Sequence, residues 1–335
     1  MTPPDVEAPS DDEARLDVTP PSDDGNAEIL AVIGGSGCYR LPELADVERV
    51  SVATPYGPPS DAIVRGRLGP HTLLFLPRHG AGHRLAPHTI PYRANVAALK
   101  QLGATQVLSL SAVGSLQDDI APGDFVVVDQ FIDFTKRRAA TFFDAGAVAH
   151  VALADPVCPT LAARVAATMV DVLAEAATAP ADPIVRPPRM HPRGTYLCIE
   201  GPQFSTRAES RLYRRWGVDV LGMTNLPEAK LAREAELPYA TLGMVTDYDC
   251  WHHDRADVDV TAMIALLDAM VTRARAMVAR VSRRLPDHRD SPAATALDGC
   301  VMTPWSSLTP ERQKTLSWLL GPDGPRRRGR RQPRG

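Results

Sequence analysis

Short apolar runs alternate along the chain with stretches in which apolar residues recur every three or four positions. Ile29-Leu30-Ala31-Val32-Ile33, Val107-Leu108-Ser109-Leu110, Phe125-Val126-Val127-Val128 and the segment from Tyr239 to Val245 carry almost no charge. That pattern suits strands buried on both faces. Ala62 to Leu68 and Thr72 to Leu76, parted by Gly69-Pro70, predict a hairpin. Thr195 to Ile199 and Val218 to Leu221 predict two more strands. Helical spacing runs from Tyr92 to Leu102, from Pro159 to Ala177 and from about Asp259 to Leu285. Thr206 and Glu209 form a capping-box pattern for a helix to Trp216, and Pro227 opens one to Glu236. A last short helix follows Thr309-Pro310-Glu311. Residues 139 to 158 predict irregular chain, and Pro180 to Pro192 an external loop. Strands alternating with helices in this way predict an α/β fold.

In such folds ligands bind outside the carboxyl ends of the strands, and polar groups collect at those ends here. The first strand runs into Gly34-Gly35-Ser36-Gly37, where glycines let an anion approach backbone N–H groups. The hairpin delivers Arg78-His79-Gly80, an arginine fork and an imidazole suited to an oxyanion. Another strand ends in Ser111-Ala112-Val113-Gly114-Ser115. The Tyr239 strand ends in Thr246-Asp247-Tyr248-Asp249. Asp247 and Asp249 are two apart, so an extended chain aims both the same way. Each piece alone also fits a polar turn leaving a buried strand.

Charge and cysteine usage narrow the classes. A net charge of −3 over 335 residues argues against a chain built to track nucleic acid. The acidic, Pro-rich residues 1 to 27 and the basic run near Arg326 read as solvated tails. Five scattered cysteines without a CxxC predict reduced thiols, not a disulfide framework. His79, His83 and His88 lack a carboxylate or Cys at ligand spacing, so no metal site is expected. With no basic-then-apolar leader and no long apolar stretch, a cytoplasmic protein is expected.

Taken in order, Gly34-Gly35-Ser36-Gly37, Arg78-His79-Gly80, Pro87-His88 with Tyr92-Arg93-Ala94-Asn95, Ser111 to Ser115, Glu200-Gly201-Pro202-Gln203-Phe204-Ser205, Met223-Thr224 with Pro227-Glu228, and Thr246 to Asp249 resemble the trimeric purine nucleoside phosphorylases. The likeness is strongest to members that act on methylthioadenosine. It covers roughly residues 28 to 284, so the chain divides into an acidic tail (1–27), a nucleoside phosphorylase domain (28–285) and a C-terminal extension (286–335) with a short helix and a basic tail. The resemblance implies a three-layer αβα architecture around a mixed, twisted sheet, and a homotrimer with a site at each subunit boundary. It implies the reversible phosphorolysis of methylthioadenosine to adenine and 5-methylthioribose 1-phosphate, with inorganic phosphate as co-substrate and no metal or organic cofactor.

The resemblance also implies roles. Ser36, Arg78, His79, Ser111, the Ala112 backbone N–H and Thr224 match a phosphate shell. Met223 matches the residue lying against the sugar, and Phe204 the ring packed on the base. Asp247 and Asp249 match the base-recognition pair, with Asp247 sharing a proton with purine N7 and the 6-amino group as the base leaves. Ser205, Val260 and Met263 fall at specificity positions, the last two in an apolar pocket for the 5′ substituent. His150 matches a residue that reaches the neighbouring subunit's site. Relatives acting on 6-oxopurines carry Asn in place of Asp247, and many relatives carry Arg in place of Gln203. Three other readings stay open: a nucleosidase that uses water, a phosphorylase for 6-oxopurine nucleosides, and a non-catalytic trimeric nucleoside-binding protein.

Overall fold

The apolar runs form the middle of one mixed sheet of eleven strands among the described residues. A computed structural model describes residues 28–35, 43–177, 186–252 and 260–325, without the side chains of 260–263 and 265. The chain begins with β1 (Leu30–Gly34), β2 (Ala45–Val50), β3 (Ile63–Leu68) and β4 (His71–Pro77), followed by α1 (Tyr92–Gln101) and β5 (Gln106–Ser115). Next come β6 (Phe125–Val128), β7 (Gln130–Asp133), α2 (Pro159–Ala176), β8 (Met190–His191) and β9 (Thr195–Cys198). The last elements are α3 (Arg207–Arg215), β10 (Val220–Gly222), α4 (Asn225–Glu234), β11 (Tyr239–Asp247), α5 (Val260–Ser282) and α6 (Pro310–Leu320).

Strand alternation builds two cores. Leu30, Val32, Leu73, Phe75, Leu108 and Leu110 face one side, where α2 adds Leu161, Val165 and Met169 and α5 adds Met270, Met277 and Val281. Ala31, Ile33, Leu74, Leu76 and Val107 face the other, against Val96 and Leu99 of α1, Ala229 and Leu231 of α4, and Leu316 and Leu320 of α6. This is a three-layer α/β fold, with helices on both faces of a mixed sheet. The C-terminal segment joins that second core. Trp318 packs edge-on against Phe142 at 5.0 Å between centroids, and Arg312 donates to Phe142 O.

β5 organises the rest. Its first half lies between β1 and β11, parallel to both, and its last residues pair antiparallel with β10. β1 is also parallel to β4, so β1, β4, β5 and β11 all bring their carboxyl ends to one side. The sequence pattern marks Ser111 to Ser115 as chain beyond a strand. Instead the strand continues through Ser115, since β11 and then β10 satisfy its backbone. Three short strands, β2, β7 and β8, lack the apolar signal because their residues are largely exposed or half-buried. The Thr206–Glu209 capping box forms as expected. Pro227 begins the regular part of α4, since Leu226 before it has φ −120° and ψ 133°.

Candidate active site

Of the residues matched to a phosphate shell, Arg78, His79, Ser111, Ala112 and Thr224 are described, at or beyond the ends of β4, β5 and β10. Ser111 is buried on β5, while Ala112 beside it is exposed within an otherwise buried run. Thr224 stands at the N-cap position of α4, where its side chain makes no capping hydrogen bond, and is 5% exposed. The two are linked through Tyr196 of β9. Its hydroxyl accepts from the Thr224 N–H at 3.3 Å and lies in hydrogen-bonding reach of the Ser111 side chain. Gly222 is required there, because a Cβ would stand 2.0 Å from the Tyr196 hydroxyl.

Arg78 is 2% exposed, and its guanidinium faces inward. Nε donates to Glu228 Oε2 at 2.9 Å, Nη1 to Leu110 O at 3.0 Å and Nη2 to Ser109 Oγ at 2.6 Å. The Arg78 backbone N–H donates to Gly34 O, so one residue ties together the glycine turn, β5 and α4. Burial works against its charge, but the Glu228 carboxylate more than offsets this and holds the guanidinium firmly protonated. Asn225 and Tyr239 extend the network. Asn225 Nδ2 donates to Ser109 Oγ, and the Tyr239 hydroxyl donates to Glu228 Oε1 at 2.9 Å.

His79 follows on a tight turn. The Leu85 carbonyl can only accept, so the 2.8 Å contact with Nδ1 fixes the hydrogen there and leaves Nε2 as the basic nitrogen. His83 stacks on this ring, 4.1 Å between centroids and 12° from parallel, from a backbone with φ +57°. Burial lowers the His79 pKa to about 4, and the charges of Arg78 and His83 add to the effect. The imidazole is therefore neutral at pH 7.

The acidic pair closes the other end. A register shift between Val245 and Asp247 sets Thr246 out of the ladder and places Asp247 opposite Gly114 of β5. The two aspartates are not brought together by a continuing extended strand. Asp249 lies past the end of β11 with φ +51°, and its N–H turns back to donate to Asp247 Oδ1 at 2.7 Å. Thr246 Oγ1 donates to Asp247 Oδ2 at 2.7 Å. Burial raises the pKa of both carboxyls. For Asp249 the charge of Asp247 adds to the rise. Ser111 and Gly114 are three residues apart on β5, so the hydroxyl end and the carboxylate end are separated by about 10 Å of strand.

The other expected residues are placed as follows. Phe204 is 48% exposed on the loop after β9. Ser205 follows it, its carbonyl accepting from Cys250 Sγ. Met223 is half-buried, and its sulfur lies 2.6 Å from where a Cβ on Gly201 would stand, which joins the β9 and β10 exit loops. Gln203 is exposed. His150 is exposed, its N–H donating to Cys300 O in the C-terminal segment. Ser36 lies outside the described residues. Val260 and Met263 stand at the start of α5, and their side chains lie outside them too.

Sequence reasoning gives no role to Ser109, Tyr196 or Tyr239 and quotes Glu228 only as part of a motif, yet these groups hold Arg78 and Thr224 in place. One group of potential metal ligands, Glu28, Asp287 and His288, is found among the described residues. It lies before β1, at the opposite end of the parallel strands, and its acceptors are already engaged. Glu28 Oε1 accepts from His288, and Asp287 pairs with Arg289.

The mixed sheet brings Arg78, Ser111 and Thr224 and the carboxylates Asp247 and Asp249 to strand ends on one side, as the resemblance to nucleoside phosphorylases implies. The chain belongs to the phosphorylase superfamily, whose family model matches residues 29–285. It is similar to the S-methyl-5′-thioadenosine phosphorylase of Geobacter sulfurreducens, with 47% identity over 295 residues, 88% of this chain and 98% of that protein. The S-methyl-5′-thioadenosine phosphorylase of Cereibacter sphaeroides is 50% identical over 296 residues, 88% of this chain and 97% of that protein. Among solved structures, a methylthioadenosine phosphorylase from an antarctic soil metagenomic library matches with TM-score 0.76 and 47% identity, covering 88% of this chain and 99% of that one. The Schistosoma mansoni methylthioadenosine phosphorylase in complex with adenine matches with TM-score 0.68 and 37% identity, covering 76% and 91%. No helix among the described residues is long and apolar enough to cross a membrane.

Proposed function

We propose that this protein is an enzyme, a pentosyltransferase, that cleaves S-methyl-5′-thioadenosine with inorganic phosphate to give adenine and 5-methylthioribose 1-phosphate. The observation that carries this reading is the placement of Asp247 opposite Gly114, three residues along β5 from Ser111. A single nucleoside with its phosphate can span that separation.

Phosphate is held by the Ser111 hydroxyl, the Ala112 N–H, the Thr224 hydroxyl and Ser36, and by His79 Nε2 once the bound dianion has favoured its imidazolium, with Arg78 supplying charge and bracing the segments that carry them. A phosphate oxygen attacks the anomeric carbon from below as the bond to purine N9 breaks, and the bonding pair leaves with the base. Asp247, kept protonated to higher pH by its burial, donates to N7 and relieves the negative charge. Positioning and fixed electrostatics do most of the work. The 6-amino group donates to a carboxylate oxygen of the pair, whereas a 6-carbonyl meets repulsion, and buried hydrogen-bonding groups discriminate strongly in such cases. Met223 lies against the sugar and Phe204 over the base, while Ser205, Val260 and Met263 border the 5′ substituent. The phosphate dianion is the nucleophile, so the reaction calls for no metal or organic cofactor. The enzyme works in the cytoplasm as a homotrimer, and exposed His150 reaches the neighbouring chain's site.

One assay tests this. Methylthioadenosine, adenosine and inosine are each incubated with and without phosphate, and base release is followed. Adenine release from methylthioadenosine that depends on phosphate is expected. Release without phosphate would mean a nucleosidase, faster cleavage of inosine a 6-oxopurine enzyme, and no cleavage at all a binding protein.

A further inference from the structure

Arg138 lies in the irregular stretch after β7 and has no part in the chemistry above, yet its side chain is 1% exposed. Nη1 donates to Met223 O at 2.7 Å, to Leu226 O at 2.6 Å and to the Tyr92 hydroxyl at 3.0 Å. Nη2 donates to Glu200 O at 2.7 Å and Ile199 O at 3.3 Å, and Nε to Glu200 Oε1 at 2.9 Å. The other oxygen of Glu200 accepts from the N–H groups of Lys136 and Arg137, so the clamp closes on its own backbone. These carbonyls sit where the chain leaves β9 and β10, beyond the sheet ladder, and buried carbonyls there need donors from elsewhere. Only arginine offers five donors in one rigid plane.

We propose that Arg138 is a positioning residue for the nucleoside half of the site, holding the β9 exit loop with Phe204 and Ser205 against the β10 exit loop with Met223. This rests on the function proposed above. Arg138 also flanks Thr224 through the Met223 and Leu226 carbonyls, but Thr224 is held as well by Tyr196, and the rest of the phosphate half is braced through Arg78 and Glu228, so loss of Arg138 should fall more heavily on the nucleoside half.

The test measures initial rates of methylthioadenosine cleavage for the wild type, Arg138→Lys and Glu200→Gln, varying each substrate in turn, alongside thermal melting. Misplacement of about 1 Å can cost on the order of 100-fold in rate. For Arg138→Lys, KM for methylthioadenosine is expected to rise about 10-fold or more while KM for phosphate rises less than about 3-fold. Glu200→Gln removes one charged acceptor and is expected to show the same split at smaller size, which keeps the test intact should Arg138→Lys not fold. In Arg138→Ala, a cavity of about 160 Å³ bordered by Tyr92, Arg93 and Arg138 gives added guanidinium a way in, and millimolar guanidinium is expected to lower the nucleoside KM again. Folded variants in which melting drops but neither KM moves, or in which both rise equally, overturn the proposal. A wild type inactive on methylthioadenosine sinks the function reading instead, and the same split is then read in binding of adenine and of phosphate.

Discussion

The N–H of Asp249 donates to Asp247 Oδ1 at 2.7 Å across a backbone turn with φ +51°, so the second acid of the pair also fixes the orientation of the first. Thr246 holds the other Asp247 oxygen. Asp247→Asn keeps the shape but has no carboxyl proton to give. Cleavage of methylthioadenosine is expected to fall about 10² to 10⁴-fold, the usual worth of general acid help, and inosine to gain relative to it in the same assay. Stability moves the other way. Because the folded pKa of Asp247 is raised by burial, its ionisation costs folded-state stability, a penalty absent at low pH that develops as pH rises above the ordinary carboxylate range near 4. Asp247→Asn is therefore expected to melt higher than wild type at pH 8, with the gap closing by pH 4. A gap that widens on acidification would contradict the buried-acid account.

Gly114 has no side chain because Asp247 occupies the space. A Cβ there would stand 2.8 Å from Asp247 Oδ1 and 3.5 Å from the Asp249 Cβ. Gly114→Ala is expected to push the carboxylate from its position and to lower kcat about 10-fold or more, with a cost of about 1–3 kcal/mol in stability from overpacking. Ser111 and Thr224 are untouched, so KM for phosphate should stay near the wild-type value. Equal kcat in both enzymes would show that Asp247 needs no such precise placement.

His79 gives a pH dependence of opposite sign. Its folded pKa is depressed to about 4, while an unfolded histidine titrates near 6.5. Between those values the unfolded chain holds the proton and the folded chain does not, so stability falls as pH drops from about 6.5 to about 4. A bound phosphate dianion favours the imidazolium and lifts the folded pKa. Melting curves from pH 4.5 to 7.5 should show phosphate stabilising more at the acid end, beyond what phosphate's own titration gives, and His79→Asn should lose that excess. An unchanged excess in His79→Asn would place the coupled proton elsewhere.

How far the sequence reveals this site depends on where each group's signal lies. β1, β5, β6 and β11 are buried on both faces and declare themselves as apolar runs, and the polar residues closing them stand out by contrast. β2 is mostly exposed, and nothing in Ala45 to Val50 distinguishes an edge strand from a loop. Asp247 and Asp249 are visible as a pair, but their alignment comes from a bulge and a left-handed turn that alternation does not encode. Arg138 is the hardest case. It sits in Lys136-Arg137-Arg138, which reads as a solvated charge run, and its acceptors are mostly backbone carbonyls 61 to 88 residues away. A carbonyl has no residue type to notice.

The Arg78–Glu228 pair is equally hidden, and it gives the sharpest stability prediction. Both side chains are 2% exposed, 150 residues apart in sequence, and joined at 2.9 Å. Removing one partner of a buried pair strands the other charge, typically costing about 3–5 kcal/mol. Glu228→Ala is therefore expected to lower the melting temperature by on the order of 10 °C. It should also weaken phosphate binding, because Arg78 would then be released from the contacts that tie Gly34, Leu110 and Ser109 together. Glu228→Gln keeps one acceptor for Arg78 Nε and should fall between. The double variant Arg78→Met with Glu228→Leu removes both charges, so it should recover much of the lost stability but none of the phosphate affinity. That divergence separates a pair that merely fills the core from one that shapes an anion site. Recovery of both properties together would assign the pair to packing alone.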